Sequence, residues 1–180
     1  LCGTMFGLTA TDDDGTERAS VSLIVRPPVP IPDDVAAIHG ITNAVAAASG
    51  VRTSVALDLW LGLARRAHTL VAHNIPFDEQ MMLGAWCRRH VGDDAIEDWA
   101  RMHGDRERFC TMRAATPVVS LPPTARMLAA GISKPKAPKL AECVKHFFGE
   151  DLAGAHDALV DVRACARVFF HLRDLQKKAA

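Results

Sequence analysis

The chain has 180 residues, 49% of them hydrophobic, and its 21 basic and 21 acidic side chains give a net charge of zero. This length and composition predict one globular domain with a substantial core, and the balanced charge excludes a global attraction to nucleic acid or to an anionic membrane. Five scattered cysteines without a C-x-x-C pair, and the absence of any apolar run near the roughly 18 residues of a membrane span, favour a reduced, cytoplasmic protein that does not bind membranes.

The N-terminal part predicts a β-hairpin and then short helices. Residues 1–11 and 17–26 are strand-like and flank an Asp-Gly turn. The acidic triplet at 12–14 is interpreted as a solvated turn and not as a metal site, because turn chemistry already accounts for it. The prolines of residues 27–32 predict an extended connector, since proline lacks a backbone donor.

The rest of the chain mixes helical and strand patterns. Short helices are predicted between 33 and 50, longer ones at 53–64, 79–90, 112–121, 139–150 and within 153–172, and short strands at 69–74 and 108–112. The breakers of residues 124–138 predict a mobile surface loop. The last helix is predicted to bury a stripe formed by Leu159, Val162, Ala166, Phe169 and Leu172. This order of elements predicts an α/β domain whose sheet is covered by helices.

The stretch at 153–172 opens with His156 and, five residues later, Asp161. His156 is expected just ahead of the helix and Asp161 about one turn inside it. Both side chains would then face the space beyond the helix N-terminus, where the helix dipole favours an anion such as phosphate.

Two motifs carry a family resemblance. VAHNIPFD at 71–78 and HDALVD at 156–161 resemble the second and third motifs of the DEDDh exonucleases, the group that contains the proofreading epsilon subunit of DNA polymerase III. IHGIT at 38–42 resembles a further segment of that group. The stretches CTMRAATPV and PKLAECVKHFFGE resemble phage and bacterial members, so the resemblance covers nearly the whole chain.

The resemblance implies an RNase H-like α/β fold, with a mixed sheet flanked by helices, and metal-dependent removal of nucleotides from the 3′ end of DNA. It assigns His156 as the general base, because an imidazole with a pKa near 6.5 accepts a proton at neutral pH. It assigns Asp78 and Asp161 as ligands of two Mg²⁺ or Mn²⁺ ions, which prefer carboxylate oxygens and stabilise charge in phosphodiester hydrolysis. The expected partners are single-stranded or frayed DNA 3′ ends and a DNA polymerase.

Other interpretations of these residues stay open. Asp78 could cap the helix that follows Pro76, His156 could be a helix-entry residue bonded to backbone, and Asp161 could be a first-turn acid favoured by the dipole. His73, Asn74 and Phe77 are assigned to substrate binding; for His73 and Asn74 the alternative is hydrogen bonding within the site, and for Phe77 it is burial in the core.

The family's first motif, D-x-E-T on an opening strand, supplies two of its four acids and does not occur here. The resemblance therefore predicts a single domain over 1–180 that lacks its first strand, and a chain that is by itself inactive or poorly folded because half of the metal ligands are missing.

Two other functions remain open: a non-catalytic nucleic-acid- or protein-binding module that retains the fold, and an exonuclease that trims RNA. Four cations, Arg113, Lys134, Lys136 and Lys139, are interpreted as solvated side chains, with contacts to a phosphate backbone as the alternative.

Overall fold

A computed structural model of the chain describes residues 4–90, 94–104 and 106–179. It begins with the predicted hairpin, in which β1 (Met5–Thr11) pairs antiparallel with β2 (Glu17–Arg26). The carboxylates of Asp12 and Asp14 accept hydrogen bonds from the Thr16 amide at 2.9 and 2.8 Å, which confirms the acidic triplet as part of the hairpin turn.

Three further strands complete two small sheets. β3 (Val51–Arg52) pairs parallel with β2, so the first sheet has the order β1-β2-β3. The second sheet consists of β4 (Thr69–Ala72) and β5 (Glu107–Cys110), which are parallel. β4 falls within the predicted strand region 69–74, and β5 overlaps the predicted region 108–112 but begins and ends earlier. β3 was not predicted, because two residues carry no periodic signal.

The helices cover both sheets. They are α1 (Asp33–His39), α2 (Asn43–Ser49), α3 (Thr53–Ala64), α4 (Ile75–Arg89), α5 (Ala95–His103), α6 (Thr111–Val119), α7 (Ala125–Ala129), α8 (Leu140–Phe148) and α9 (Ala158–Ala179). None of them, within the described ranges, is long and apolar enough to cross a membrane.

The region predicted as a mobile loop is more ordered than expected. It contains α7, whose N-cap Thr124 accepts the Met127 amide at 3.2 Å, and it closes through the Lys136 amide, which donates to the Leu121 carbonyl at 3.0 Å. The glycine and proline breakers therefore delimit a short helix and a bridge instead of an irregular segment.

The last helix, α9, buries a different stripe from the predicted one. Its buried residues include Ala164, Cys165, Val168 and Leu172, so of the five predicted core residues only Leu172 is buried. The reason is that α9 packs between the hairpin on one side and α6 and α8 on the other, which leaves the predicted stripe half-buried at the margin of these contacts.

α9 also joins the two sheets, because it contacts β1 and β2 of the first sheet and β4 of the second. Among the described residues, no strand is hydrogen-bonded to β1 on the side away from β2 or to β4 on the side away from β5. The absence of the family's first strand nevertheless stays a prediction.

Candidate active site

The N-terminus of α9 is capped by an aspartate that lies between the two predicted site residues. Asp157 Oδ1 accepts the backbone N–H groups of Leu159 at 2.9 Å and Val160 at 3.1 Å, and the Asp157 carbonyl accepts the amide of Asp161 at 2.9 Å. These donors are no longer available to an anion, so the prediction of a phosphate position at this helix end is wrong. The H-D dipeptide in the sequence was a signal for this cap that the prediction did not use.

His156 and Asp161 are brought together at this helix start. His156 has a left-handed backbone (φ 75°) and an exposed side chain. Its backbone N–H donates to the Asp161 carboxylate, but burial outweighs this bond and raises the pKa of Asp161 above its usual value. The Asp161 carboxylate therefore helps to hold the backbone of His156 in place. A bound cation would stabilise its charged form.

Asp78 reaches the same region from the second sheet. β4 ends at Ala72, and Asn74, with a left-handed φ of 80°, turns the chain into α4, whose first turn holds Asp78. One face of Asp78 is exposed, but the protein around its carboxyl raises its pKa to about 6 by desolvation. Burial raises the pKa of the Cys165 thiol of α9 to about 12, and the charge of Asp78 acts in the same direction.

His73 occupies the space between these acids and the neighbouring helices. Its Nε2 lies 3.0 Å from the Pro138 carbonyl oxygen, and its Nδ1 lies 2.9 Å from the Oγ1 of the fully buried Thr111. Because a carbonyl only accepts, Nε2 carries the proton and Thr111 donates to Nδ1 of the neutral ring. Burial lowers the pKa of His73, and the charge of Asp161 opposes this effect. Both ring nitrogens are bonded within the protein; substrate contact by His73 stays a prediction.

The site has a polar partner that sequence reasoning missed, Thr111. It lies at the junction of β5 and α6, where its hydroxyl is within 3.6 Å of Cys165 Sγ as well as bonded to His73. Thr111 lies in the stretch CTMRAATPV, but that stretch does not identify its partners, because they are 38 and 54 positions away in the chain.

The other two residues assigned to substrate binding follow β4 directly. Phe77 is 44% exposed, so its interpretation as a core residue is wrong and its ring is free to stack on a planar group. Asn74 is the N-cap residue of α4, and its side chain accepts no hydrogen bond from the first backbone N–H groups of that helix. Substrate contact by either residue stays a prediction.

A groove of about 350 Å³ opens beside His156. Its walls come from the hairpin, from α1 and the turn after it, and from the segment that precedes α9: Met5, Ser22, Leu23, Ile24, Ile38, His39, Ile41, Gly154, Ala155, His156 and Asp157. His39 is fixed in this wall, since its Nε2 lies 2.9 Å from Thr4 Oγ1 and its Nδ1 accepts the Ile41 amide. The volume is in the range of small-molecule sites, and the lining is about equally polar and apolar.

The chemistry of the donors fits a divalent cation. Asp78 and Asp161 both have raised pKa values, and neither forms an ion pair with a lysine or arginine within residues 4–90, 94–104 and 106–179. Such acids gain from a cation that replaces their lost hydration. Clusters of three or more histidine, cysteine, aspartate or glutamate side chains are not found in the described part of the chain, so these residues provide two carboxylates and no fuller ligand set.

Comparisons with known proteins agree with this fold. The profile of the exonuclease family matches residues 4–169. The structure of Exonuclease X in complex with 5′ overhanging duplex DNA superposes with a TM-score of 0.58 at 22% identity, covering 96% of this chain and 82% of that one. A comparison with curated protein sequences finds no match.

Two structures of Exonuclease I are also similar. The Escherichia coli enzyme in complex with a dA16 oligonucleotide gives a TM-score of 0.71 at 18% identity, covering 97% of this chain and 37% of that one. The enzyme from Methylocaldum szegediense gives 0.69 at 24% identity, with the same coverages. The chain thus spans little more than a third of Exonuclease I.

The match over residues 4–169 shows that the chain belongs to the exonuclease family and is a nuclease by class. Its fold is the RNase H-like α/β fold of that family, with a mixed sheet and flanking helices, as the sequence predicted. Assignment to the epsilon-like subtype stays a prediction.

Proposed function

We propose that the chain hydrolyses phosphodiester bonds at the 3′ end of DNA, with His156 as the general base and Asp78 and Asp161 as ligands of Mg²⁺ or Mn²⁺. The observation that supports the proposal is that two acids, Asp78 in the first turn of α4 and Asp161 in the first turn of α9, have pKa values raised by desolvation, while the exposed His156, bonded through its backbone to Asp161, lines an open groove. Divalent ions held there would stabilise negative charge on the attacking and leaving oxygens.

The protein's own groups have distinct tasks in this proposal. The exposed imidazole of His156 takes a proton from the attacking water, and the bond from its backbone to Asp161 holds it at the rim of the groove. The groove takes the terminal nucleotide, and Phe77 and Asn74 contact the substrate from the α4 side. The family's first motif would add two carboxylates; with Asp78 and Asp161 alone, two ions would bind weakly.

DNA is favoured over RNA as the substrate because Exonuclease X and Exonuclease I, whose folds this chain shares, are described in complexes with DNA. Association with a DNA polymerase is part of the same proposal and rests on the resemblance to the epsilon subunit alone.

The test is digestion of a 5′-labelled single-stranded DNA and of an RNA of the same sequence, with Mg²⁺, with Mn²⁺ and with EDTA. We expect metal-dependent shortening from the 3′ end of the DNA by the chain joined to the D-x-E-T strand of the family's first motif, and weak or no shortening by the chain alone. His156→Ala should lower the rate by about 100-fold or more, the size of a general-base contribution. The control, His68→Ala, removes another exposed histidine and should keep the parent rate.

Each alternative gives a different result. A folded protein that binds the oligonucleotide but never shortens it, under either metal, would be a non-catalytic module. Faster shortening of the RNA would make the chain an exoribonuclease. Full activity of His156→Ala would reject the assigned base.

A further inference from the structure

Although the net charge of the chain is zero, one of its segments contains basic side chains and no acidic ones. Residues 111–139, which extend from α6 to the start of α8, contain five of the 21 basic side chains and none of the 21 acidic ones. The five are Arg113, Arg126, Lys134, Lys136 and Lys139. We call residues 111–139 the basic segment.

Three of these cations face solvent without a counter-charge. Arg113, Arg126 and Lys134 are exposed, and none of them forms an ion pair with any residue that the structure describes. Lys136 differs, because its Nζ lies 2.5 Å from a Glu142 carboxylate oxygen and so ties the segment to α8. Lys139 is also exposed, but its charge helps to lower the pKa of Glu142. The positive potential of the segment therefore comes chiefly from Arg113, Arg126 and Lys134.

Both ends of the basic segment are bonded to one imidazole of the candidate active site. Thr111, its first residue, donates to His73 Nδ1, and Pro138, next to its last, accepts from His73 Nε2. His73 in turn interacts with the charge of Asp161. The bridge between Leu121 and Lys136 closes the segment on itself, and α6, its first element, packs against β4 and α9.

We propose that the basic segment binds the sugar–phosphate backbone of the substrate strand, 5′ to the nucleotide in the groove, through Arg113, Arg126 and Lys134. This inference rests on the proposed nuclease function and specifies where its substrate extends. Exposed cations without internal partners gain by neutralising phosphates and releasing counterions, a contact that positions a strand without reading its sequence. The exposed side chains of Leu128 and Ile132 lie on the same segment and give the bases an apolar surface.

The test compares two triple variants of equal charge change. The first, Arg113→Gln with Arg126→Gln and Lys134→Gln, removes three of the four exposed cations of the basic segment, those that face no described acid. The control, Arg66→Gln with Arg88→Gln and Lys177→Gln, removes three exposed cations that have no described ion pair, ahead of β4 or at the C-terminal ends of α4 and α9. Thermal unfolding of both triples confirms that they fold.

Binding is measured in EDTA, so that no hydrolysis occurs, by fluorescence anisotropy of labelled single-stranded DNA of about 4 and about 16 nucleotides, the span of single-strand site sizes. The parent should bind the longer strand more tightly than the shorter one. In the basic-segment triple, this ratio of affinities should fall by about 10-fold or more. The slope of log K against log salt should become smaller by about 2, because each lost phosphate contact on a single strand contributes about 0.7. The control triple should retain the parent's preference for the longer strand and the parent's slope of log K against log salt.

Two results would overturn the proposal. The first is an equal loss in both triples, which would make the effect one of net charge. The second is a basic-segment triple that binds the longer strand as tightly as the parent does. Failure of the proposed nuclease function can be distinguished from failure of this inference. In the first case, the parent would not shorten DNA but would still bind the longer strand more tightly in EDTA.

Discussion

At the scale of single residues, the candidate site contains two acids that no lysine or arginine of the described residues neutralises. Asp78 and Asp161 have raised pKa values because burial disfavours their charged forms, and no described lysine or arginine pairs with them. A protein that only needed stability would gain by replacing these acids. Their retention in the first turns of α4 and α9 is therefore better explained by cation binding than by folding.

Asp78→Asn should stabilise the metal-free protein at neutral pH. The folded-state pKa of about 6 exceeds the usual 3.8, so Asp78 favours the folded state below about pH 4, and this contribution is lost as the pH rises through 6. We expect the variant to exceed the parent by about 1 kcal/mol near pH 7.5, a figure reduced for the partial exposure of the carboxyl, and to lose this advantage near pH 4. Urea unfolding in EDTA at both pH values measures this difference in the free energy of unfolding. An equal difference at pH 4 and pH 7.5 would contradict the raised pKa of Asp78.

At the scale of secondary structure, the close approach of α9 to β1 fixes the position of α9 and of the two predicted site residues at its start. A Cβ atom at Gly7 of β1 would lie 2.4 Å from the carbonyl oxygen of Ala158, the first residue of α9, which is closer than real Cβ atoms come to backbone. Glycine at this position lets the helix start rest directly on the strand, and His156 and Asp161 are placed by that contact.

Gly7→Ala should destabilise the protein by about 1 to 3 kcal/mol, the usual cost of overpacking, because the backbone of α9 must move away from β1. Gly62→Ala is the matched control. Gly62 is exposed within α3 and has nothing within 4 Å of its Cβ position, so alanine there should stabilise by about 0.5 to 1 kcal/mol. Urea unfolding separates the two, and equal effects would show that Gly7 does not limit the position of α9.

At the scale of the whole molecule, the site exists because distant elements converge. Asp78 comes from α4 after the second sheet, Asp161 from α9, and the groove from the hairpin and α1. A cation bound between α4 and α9 should consequently stabilise the fold as a whole.

Mn²⁺ should raise the melting temperature of the EDTA-treated protein. At about ten times its dissociation constant it would contribute about 1.4 kcal/mol, which corresponds to a rise of about 3 to 5 °C for a domain of this size. Asp161→Asn should abolish the rise. Asp151→Asn, at an exposed acid that pairs with Lys145, should keep it. Thermal unfolding with and without Mn²⁺ measures both, and a rise that survives in Asp161→Asn would place the ion elsewhere.

The sequence by itself determined most of the elements and the motifs. The hairpin, the strands around 69–72 and 107–110, and the helices from 53, 140 and 158 follow from local periodicity and turn chemistry, which depend on residues within a few positions of one another. The motif spacing likewise identified the exonuclease family that the profile match then showed.

Only the tertiary structure decided which side chains meet. The bonds of His73 to Thr111 and Pro138 connect residues 38 and 65 positions apart, and the buried stripe of α9 depends on packing between the hairpin, α6 and α8. It also decided that Phe77 is exposed. Local patterns state that a helix has an apolar face, but the direction of that face and the partners of a buried polar group are set by contacts that form only when distant segments of the chain pack together.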